Sequence, residues 1–221
     1  MHKLFRLLGQ EMGMEKVRSI LPSSIDGYLQ DAIQEQAVAI IRENVTTVYN
    51  DKLIVQDNFA SPINGLSTLY REISIDVDNN YSSKFEVVAN NLKDVMYFYG
   101  FSIKYDNADR YRNCRIIENN KVELTLDDYC NRATHKYPVI TVSSSNEDSG
   151  NYLFDIYIGT PNILDSLKIK YIKMPRVVKF VSETSPDNVD CDLPQHLHKS
   201  IVELAVTKFF NSVGSTTNNV R

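Results

Sequence analysis

Two stripes of apolar residues at helical spacing, one near each end of the chain, bracket a middle that alternates apolar and polar. From Tyr28 to Val48, Leu29, Ile33, Ala37, Ile40, Ile41, Val45 and Val48 share one helix face. Near the other end Leu197, Ile201, Leu204, Ala205 and Phe209 do the same. Each stripe is too wide for solvent, so each needs a partner. In a chain that begins and ends with helices, the other stripe is the nearest one. Pro194 marks the start of the last helix, because the first helical N–H would have no partner in any case. Asp190 and Asp192 lie just before it, where negative charge suits the helix dipole. Gly214 is its expected stop. A weaker helix is expected over residues 3–20, with Leu4, Leu7, Leu8 and Met12 on its apolar face and Gly9 and Gly13 weakening it.

The middle reads as strands. Ile73, Ile75 and Val77 alternate over Leu69 to Val77. Val88, Leu92, Val95, Met96 and Tyr99 fit a helix or an irregular start, followed by a strand around Phe98 to Tyr105. CRII and KVELTL flank Glu118-Asn119-Asn120, which predicts a hairpin over 114–126. Thr125 to Asp128 resembles a capping box for a short helix, Leu126 to Arg132. Further strands are expected at Pro138 to Ser143, at Tyr152 to Ile158 (Phe154, Ile156 and Ile158 facing one way) and at Leu167 to Tyr171. A polar loop, Ser144 to Asn151, and a turn at Gly159-Thr-Pro-Asn162 separate them. The expected fold is α+β: N-terminal and C-terminal helices packed together with an inserted antiparallel β lobe. Its parts would be 1–50 (helical), 51–176 (β-rich) and 177–221 (connector and C-terminal helix).

Composition narrows the function. The 221 residues are 43% apolar and 24% charged, with 8 Gly and 7 Pro, which suits a globular chain and not a fibrous or disordered one. No apolar run approaches the roughly 18 residues that span a bilayer. The first residues lack the apolar block and cleavage site of a signal peptide, so synthesis and use in a cytoplasm are expected. Cys114, Cys130 and Cys191 lie far apart, an odd count without CxxC, which favours neither a disulfide framework nor a structural zinc site. A net charge of −4 argues against a general nucleic-acid binder, though not against a protein past which DNA slides.

The chemistry-bearing motifs fail in turn. No glycine-rich phosphate loop and no G-x-S-x-G elbow occur. Cys191, His196 and His198 suggest a metal, but histidines at i and i+2 on a helix point about 200° apart. Asp127-Asp128 and Asp76/Asp78 are paired carboxylates that nothing singles out among 28 acids, and the first pair suits a helix terminus. No catalytic, cofactor-binding or metal-binding residue is therefore assigned, and no cofactor is expected. Two charge runs remain. Ser166 to Ser182 holds Lys168, Lys170, Lys173, Arg176 and Lys179 with no acid; Glu183 to Asp192 holds Glu183, Asp187, Asp190 and Asp192 with no base. They read either as solvated faces or as complementary patches that meet between copies of the chain. Lys168, Lys170, Lys173, Arg176, Lys179, Glu183, Asp187 and Asp190 are the candidate inter-subunit contacts.

Across residues 114–211 the pattern resembles a known family. KVELTLDDYCNRATHKYPVI, the strand NYLFDIYI, then LKIKYIKMP and DLPQHLHKSIVELAVTKFF are similar to the neck ring (head–tail connector) proteins of crAss-like and related short-tailed bacteriophages. The matching elements are Leu124 to Arg132, Lys170 to Pro175 (with Tyr171 and Pro175) and Leu193 to Ala205. The resemblance implies a non-enzymatic virion protein, assembled in the host cytoplasm into a homo-oligomeric ring, a dodecamer at first expectation. Its partners would be the portal and other neck or tail proteins. DNA would pass through without sequence-specific binding, and no membrane is involved. The alternatives are a small-ligand or carbohydrate-binding β module of viral origin, or an enzyme whose site carries no recognised motif.

Overall fold

The computed structural model describes residues 1–12, 20–50, 65–77, 80–90, 92, 94–106, 108–144 and 151–217, without the side chains of 43–50, 144 and 214–217. The chain divides into two compact units. Unit 1 is Met1–Leu69 with Met174–Arg221, and unit 2 is Tyr70–Lys173.

Unit 1 is helical. The helices are α1 (His2–Glu11), α2 (Pro22–Asn50) and α4 (Gln195–Thr217), with α3 (Val122–Asp127) lying in unit 2. Pro22 opens α2, where its missing N–H costs nothing, and the Ser24 and Ile25 amides donate to the Leu21 carbonyl at 3.0 and 3.3 Å. Ile25, Leu29, Ala32, Ile33, Ala37 and Ile41 form its buried stripe, and Asp31, Gln34, Glu35 and Arg42 its exposed face. As expected, α2 and α4 pack together. They run antiparallel: the Tyr28 hydroxyl meets Ser212 Oγ at 2.9 Å and Lys208 Nζ meets Glu35 at 2.6 Å. The buried face of α4 is turned from the expected one. Ile201, Val202, Ala205 and Val206 are at most 1% exposed, while Leu197, Leu204 and Phe209 flank them, half-buried. Each fully buried aliphatic contributes about 1.5–3 kcal/mol. Gly65 lies between the two helices, where a Cβ would come 2.8 Å from Leu197 Cδ1 and 3.1 Å from Ile40 Cδ1. The helix α4 continues past Gly214 to Thr217, because a glycine in a helical conformation need not end it.

On α1 the buried residues are Phe5 and Gly9, whereas Leu7 and Met12 of the expected face are exposed. Phe5 reaches Phe209 (ring centroids 6.0 Å), which in turn meets Tyr28 edge-on at 5.4 Å, so three rings join the three helices. The rest of the predicted N-terminal helix, residues 13–19, lies outside the described residues, as do 51–64, residues 145–150 of the expected polar loop, and 218–221.

Unit 2 is organised by one strand. The strands are β1 (Tyr70–Asp76), β2 (Tyr81–Ala89), β3 (Val95–Tyr105), β4 (Arg112–Asn113), β5 (Arg115–Ile116), β6 (Val139–Ser144) and β7 (Tyr152–Lys173). On one flank β1 pairs with the second half of β7 and β2 with the first, so 70–89 runs antiparallel to 172–152. On the other flank β3 pairs with the second half and β6 with the first; β4 extends β3 and β5 extends β6. Ladders are antiparallel, except for the two-residue β5–β6 ladder, which is parallel. The turn expected at Gly159 is instead a bulge within β7. Ser82 stands opposite Asn162 and Lys84 opposite Tyr157, which leaves 158–161 without partners on β2. Gly159 has φ +78°, and a Cβ there would meet the Ala133 carbonyl oxygen at 2.2 Å. The bulge bends the sheet so that both halves face one core. Phe85 and Val87 (β2), Phe101, Ile103 and Tyr105 (β3), Ile140 (β6) and Phe154, Ile156, Leu164, Leu167 and Ile169 (β7) fill it.

Two further expectations fail here. Tyr81–Ala89 is a strand throughout, with Phe85, Val87 and Ala89 buried and Val88 exposed, not the start of a helix. The 114–126 hairpin does not form. Cys114 and Arg115 do pair outward, but Asn119–Lys121 is a 3-10 turn that runs into α3 (Val122–Asp127). β5 pairs with Val139 and Ile140 of β6, while KVELTL joins no ladder and Leu124 stays 74% exposed. Asp128 consequently follows a helix instead of starting one. Its carboxylate accepts the Asn131 side-chain amide and the Cys130 N–H (2.9 Å), which hold it below the usual carboxylate range.

Candidate inter-subunit surface

The eight charged residues singled out by sequence are divided between the two units. Lys168, Lys170 and Lys173 belong to β7 in unit 2; Arg176, Lys179, Glu183, Asp187 and Asp190 belong to the connector in unit 1.

In unit 2, alternation along β7 puts Leu167, Ile169 and Tyr171 against the core and Lys168 and Lys170 on the outer face. Lys168 pairs with Glu72 of β1 at 2.8 Å, and its Nζ lies 4.4 Å from the centroid of the Tyr111 ring. Hydrogen bonding to Lys168 holds the Glu72 carboxyl below its ordinary range, and the same bond raises Lys168. The Tyr111 hydroxyl contacts Ser166 Oγ at 3.2 Å; this bond, with nearby Lys168 and Lys104, lowers the phenol. Lys104 pairs with Asp165 at 3.1 Å and Lys173 with Asp94 at 3.6 Å. The bases of β3 and β7 are thus already taken up by internal pairs, except Lys170, which forms no ion pair among the described residues.

In unit 1, the connector folds back on itself. Lys179 and Val189 exchange backbone hydrogen bonds of 3.1 and 2.8 Å. Asn188 closes the turn, accepting the Val181 N–H at 2.8 Å and donating to the Ser182 carbonyl at 2.6 Å. Asp192 accepts the Arg176 guanidinium at 2.8 and 3.0 Å and its backbone N–H at 3.1 Å, which joins the two ends of the connector. Polar side chains of α2 fix it from below: Asp26 accepts the Phe180 N–H at 3.2 Å and Gln30 the Val178 N–H at 3.1 Å. His2 completes the anchor, with Nε2 2.7 Å from Asp26 and its ring stacked on Phe180 at 4.6 Å. Nothing in local sequence announces this anchor, since His2, Asp26 and Phe180 are distant along the chain. Glu183 pairs with Lys3 at 2.8 Å on the surface, while Asp187 and Asp190 are exposed.

Cys191 and His198 have structural partners. Cys191 Sγ accepts the Leu193 N–H at 3.4 Å, and His198 Nε2 lies 2.9 Å from the Leu193 carbonyl oxygen. Burial pushes the Cys114 thiol up to about 12 and raises Cys191 as well, which leaves both as neutral thiols. Among the described residues no group of three metal-ligating side chains comes together, and no helix is long and apolar enough to cross a membrane.

The surface missed from sequence is the excursion between β3 and β6. It exposes Tyr111 (38%), Ile116 (45%), Leu124 (74%), Tyr129 (82%) and Tyr137 (65%). Its later part lines a cleft with β2 and the β7 bulge, including Lys84, Arg132, Thr134, Lys136, Tyr157 and Thr160. Lys84 is neutralised there by Glu86 at 2.7 Å and Asp155 at 3.4 Å. The Arg132 guanidinium instead lies over the Tyr129 ring (5.1 Å) and the Lys136 ammonium over Tyr137 (5.5 Å). The sequence signal was local: an aromatic three residues before an arginine, and another beside a lysine. The sequence matches no protein-family model and no curated protein.

Proposed function

We propose that this chain is a virion structural subunit that assembles into a ring in the neck or tail of a bacteriophage, between portal and tail, and continues the channel through which DNA passes. The observation that carries the reading is the excursion of unit 2, where five large apolar side chains, three of them tyrosines, stand exposed between β3 and β6. Tyrosine and arginine are the residues that protein interfaces favour, and solvated faces seldom group them. The resemblance over residues 114–211 gives the reading its specific form. The internal pairing of Lys104, Lys168 and Lys173 is compatible with it, since a wall past which DNA moves should not present a row of unpaired bases. The net charge of −4 points the same way.

The test is the mass of the purified full chain across a wide concentration range, by native mass spectrometry, with images down the axis of any assembly. One closed species of fixed copy number with head-to-tail contacts is the expected result. A monomer at every concentration would overturn the reading.

A further inference from the structure

A closed ring needs two different surfaces on one chain, one for each neighbour. The described residues carry such a pair, of opposite charge. The cleft of unit 2 holds two cations, Arg132 and Lys136, that form no ion pair among the described residues and rest on exposed tyrosines. The connector hairpin of unit 1 holds two exposed carboxylates, Asp187 and Asp190, and a third, Glu183, whose pair with Lys3 is solvent-exposed on both sides (89% and 69%) and so weak.

We propose that the acidic connector hairpin, residues 179–190, of one copy docks in the Arg132/Lys136 cleft of the next. This rests on the ring reading and names its contact. Three features favour a second copy as the occupant. The charges are complementary, and they lie on different units of the same chain, as a head-to-tail contact requires. The hairpin is also already ordered, by the Lys179–Val189 backbone pair and the Asn188 side chain, so docking it costs little conformational entropy. Finally, Tyr129 and Tyr137 flank the cations with apolar area that, once covered, would dry the charge pairs and strengthen them. Of the bases expected from sequence to meet this hairpin, Lys168, Lys173 and Arg176 already have acids of their own, Lys179 belongs to the hairpin itself, and Lys170 forms no ion pair among the described residues.

Charge reversal tests it on the full chain. Arg132→Glu with Lys136→Glu gives a chain whose cleft and hairpin are both acidic. Asp187→Lys with Asp190→Lys gives one in which both are basic. Each variant alone should assemble at least tenfold more weakly than the parent. An equimolar mixture should recover assembly into rings of even copy number, because each hairpin then meets a cleft of opposite charge where the two variants alternate, and that recovery also shows both variants folded. Parent assembly should weaken with added salt, and Arg132→Gln with Lys136→Gln should reduce that dependence. If each reversed variant assembles as well as the parent, this contact is wrong while the ring reading stands. If the variants fail and the mixture does not recover, the contact is also wrong. If the parent itself stays monomeric, both fall together.

Discussion

Unit 2 is one contiguous stretch of chain wound about a single strand, whereas unit 1 is made from the two ends of the chain. Every strand in the core of unit 2 is β7 or pairs directly with it. In unit 1 the Tyr28–Ser212 hydrogen bond joins residues 184 apart in sequence. Loop-closure entropy therefore falls mainly on unit 1, and the core of unit 2 is drawn from its own residues. The difference predicts two cooperative units with separate stabilities, one of which does not depend on the chain ends.

The sharpest way to break that comparison is at the crossing of the two sheet halves. Phe154 is fully buried and meets Phe98 and Phe101 at ring-centroid distances of 5.8 and 5.3 Å. Phe154→Ala should cost about 3–5 kcal/mol. Amide exchange should show the loss in both halves of unit 2 and leave α2 and α4 unchanged. An equal loss in α2 and α4 would mean that the units are one cooperative body.

The matching change in unit 1 is Ile201→Ala, expected to cost about 2–5 kcal/mol in α2 and α4 and nothing in β7. Leu204→Ala should cost less than about 2 kcal/mol, because Leu204 flanks the buried stripe. Denaturant melts read by a probe in each unit order the two. A larger loss at Leu204 than at Ile201 would place the stripe where the sequence first suggested.

Smaller effects come from charge. Lys208→Ala removes the ion pair to Glu35 across α2 and α4 and should cost at most about 1 kcal/mol, falling as salt is added. In unit 2, Lys168 depresses the folded pKa of Glu72 below its unfolded value. The stabilisation is then complete above that ordinary value, about 4.3, and is lost as pH falls through the folded one. Glu72 is 39% exposed, so the effect is below about 1 kcal/mol. Glu72→Gln should flatten the acid limb of unit 2 melts by that amount and leave unit 1 melts unaltered.

The same comparison explains what could be read from sequence. The stripe of α2 and the alternation of Ile73/Ile75/Val77, Phe154/Ile156/Ile158 and Leu167/Ile169/Tyr171 are local periodicities that survive in the fold, whereas the stripe of α4 is turned toward Val202 and Val206. Where two periods fit one short run, tertiary context decided. Val88 suggested a helix because it is apolar, yet it is the solvent face of a strand on the flank of β7. Val122, Leu124 and Leu126 alternate like a strand, yet Val122–Asp127 is a short helix that runs on from the 119–121 turn. Gly159 announced a special backbone angle without saying that the chain would continue in the same strand beyond it. The candidate surface was harder still. A charge run shows which bases lie close in sequence, but not that Glu72 and Asp94 would take them up, nor that Arg132 and Lys136 would be left with tyrosines instead.

Amide exchange of the full chain, followed from dilute to concentrated protein, tests the central claim most directly. A ring built from unlike surfaces predicts that protection rises with concentration in two places at once, the 108–138 excursion of unit 2 and the 174–194 connector of unit 1. The buried stripes of α2 and α4 and the core of β7 should stay unchanged. Exchange that is independent of concentration in both segments, or a gain in one alone, would contradict the account.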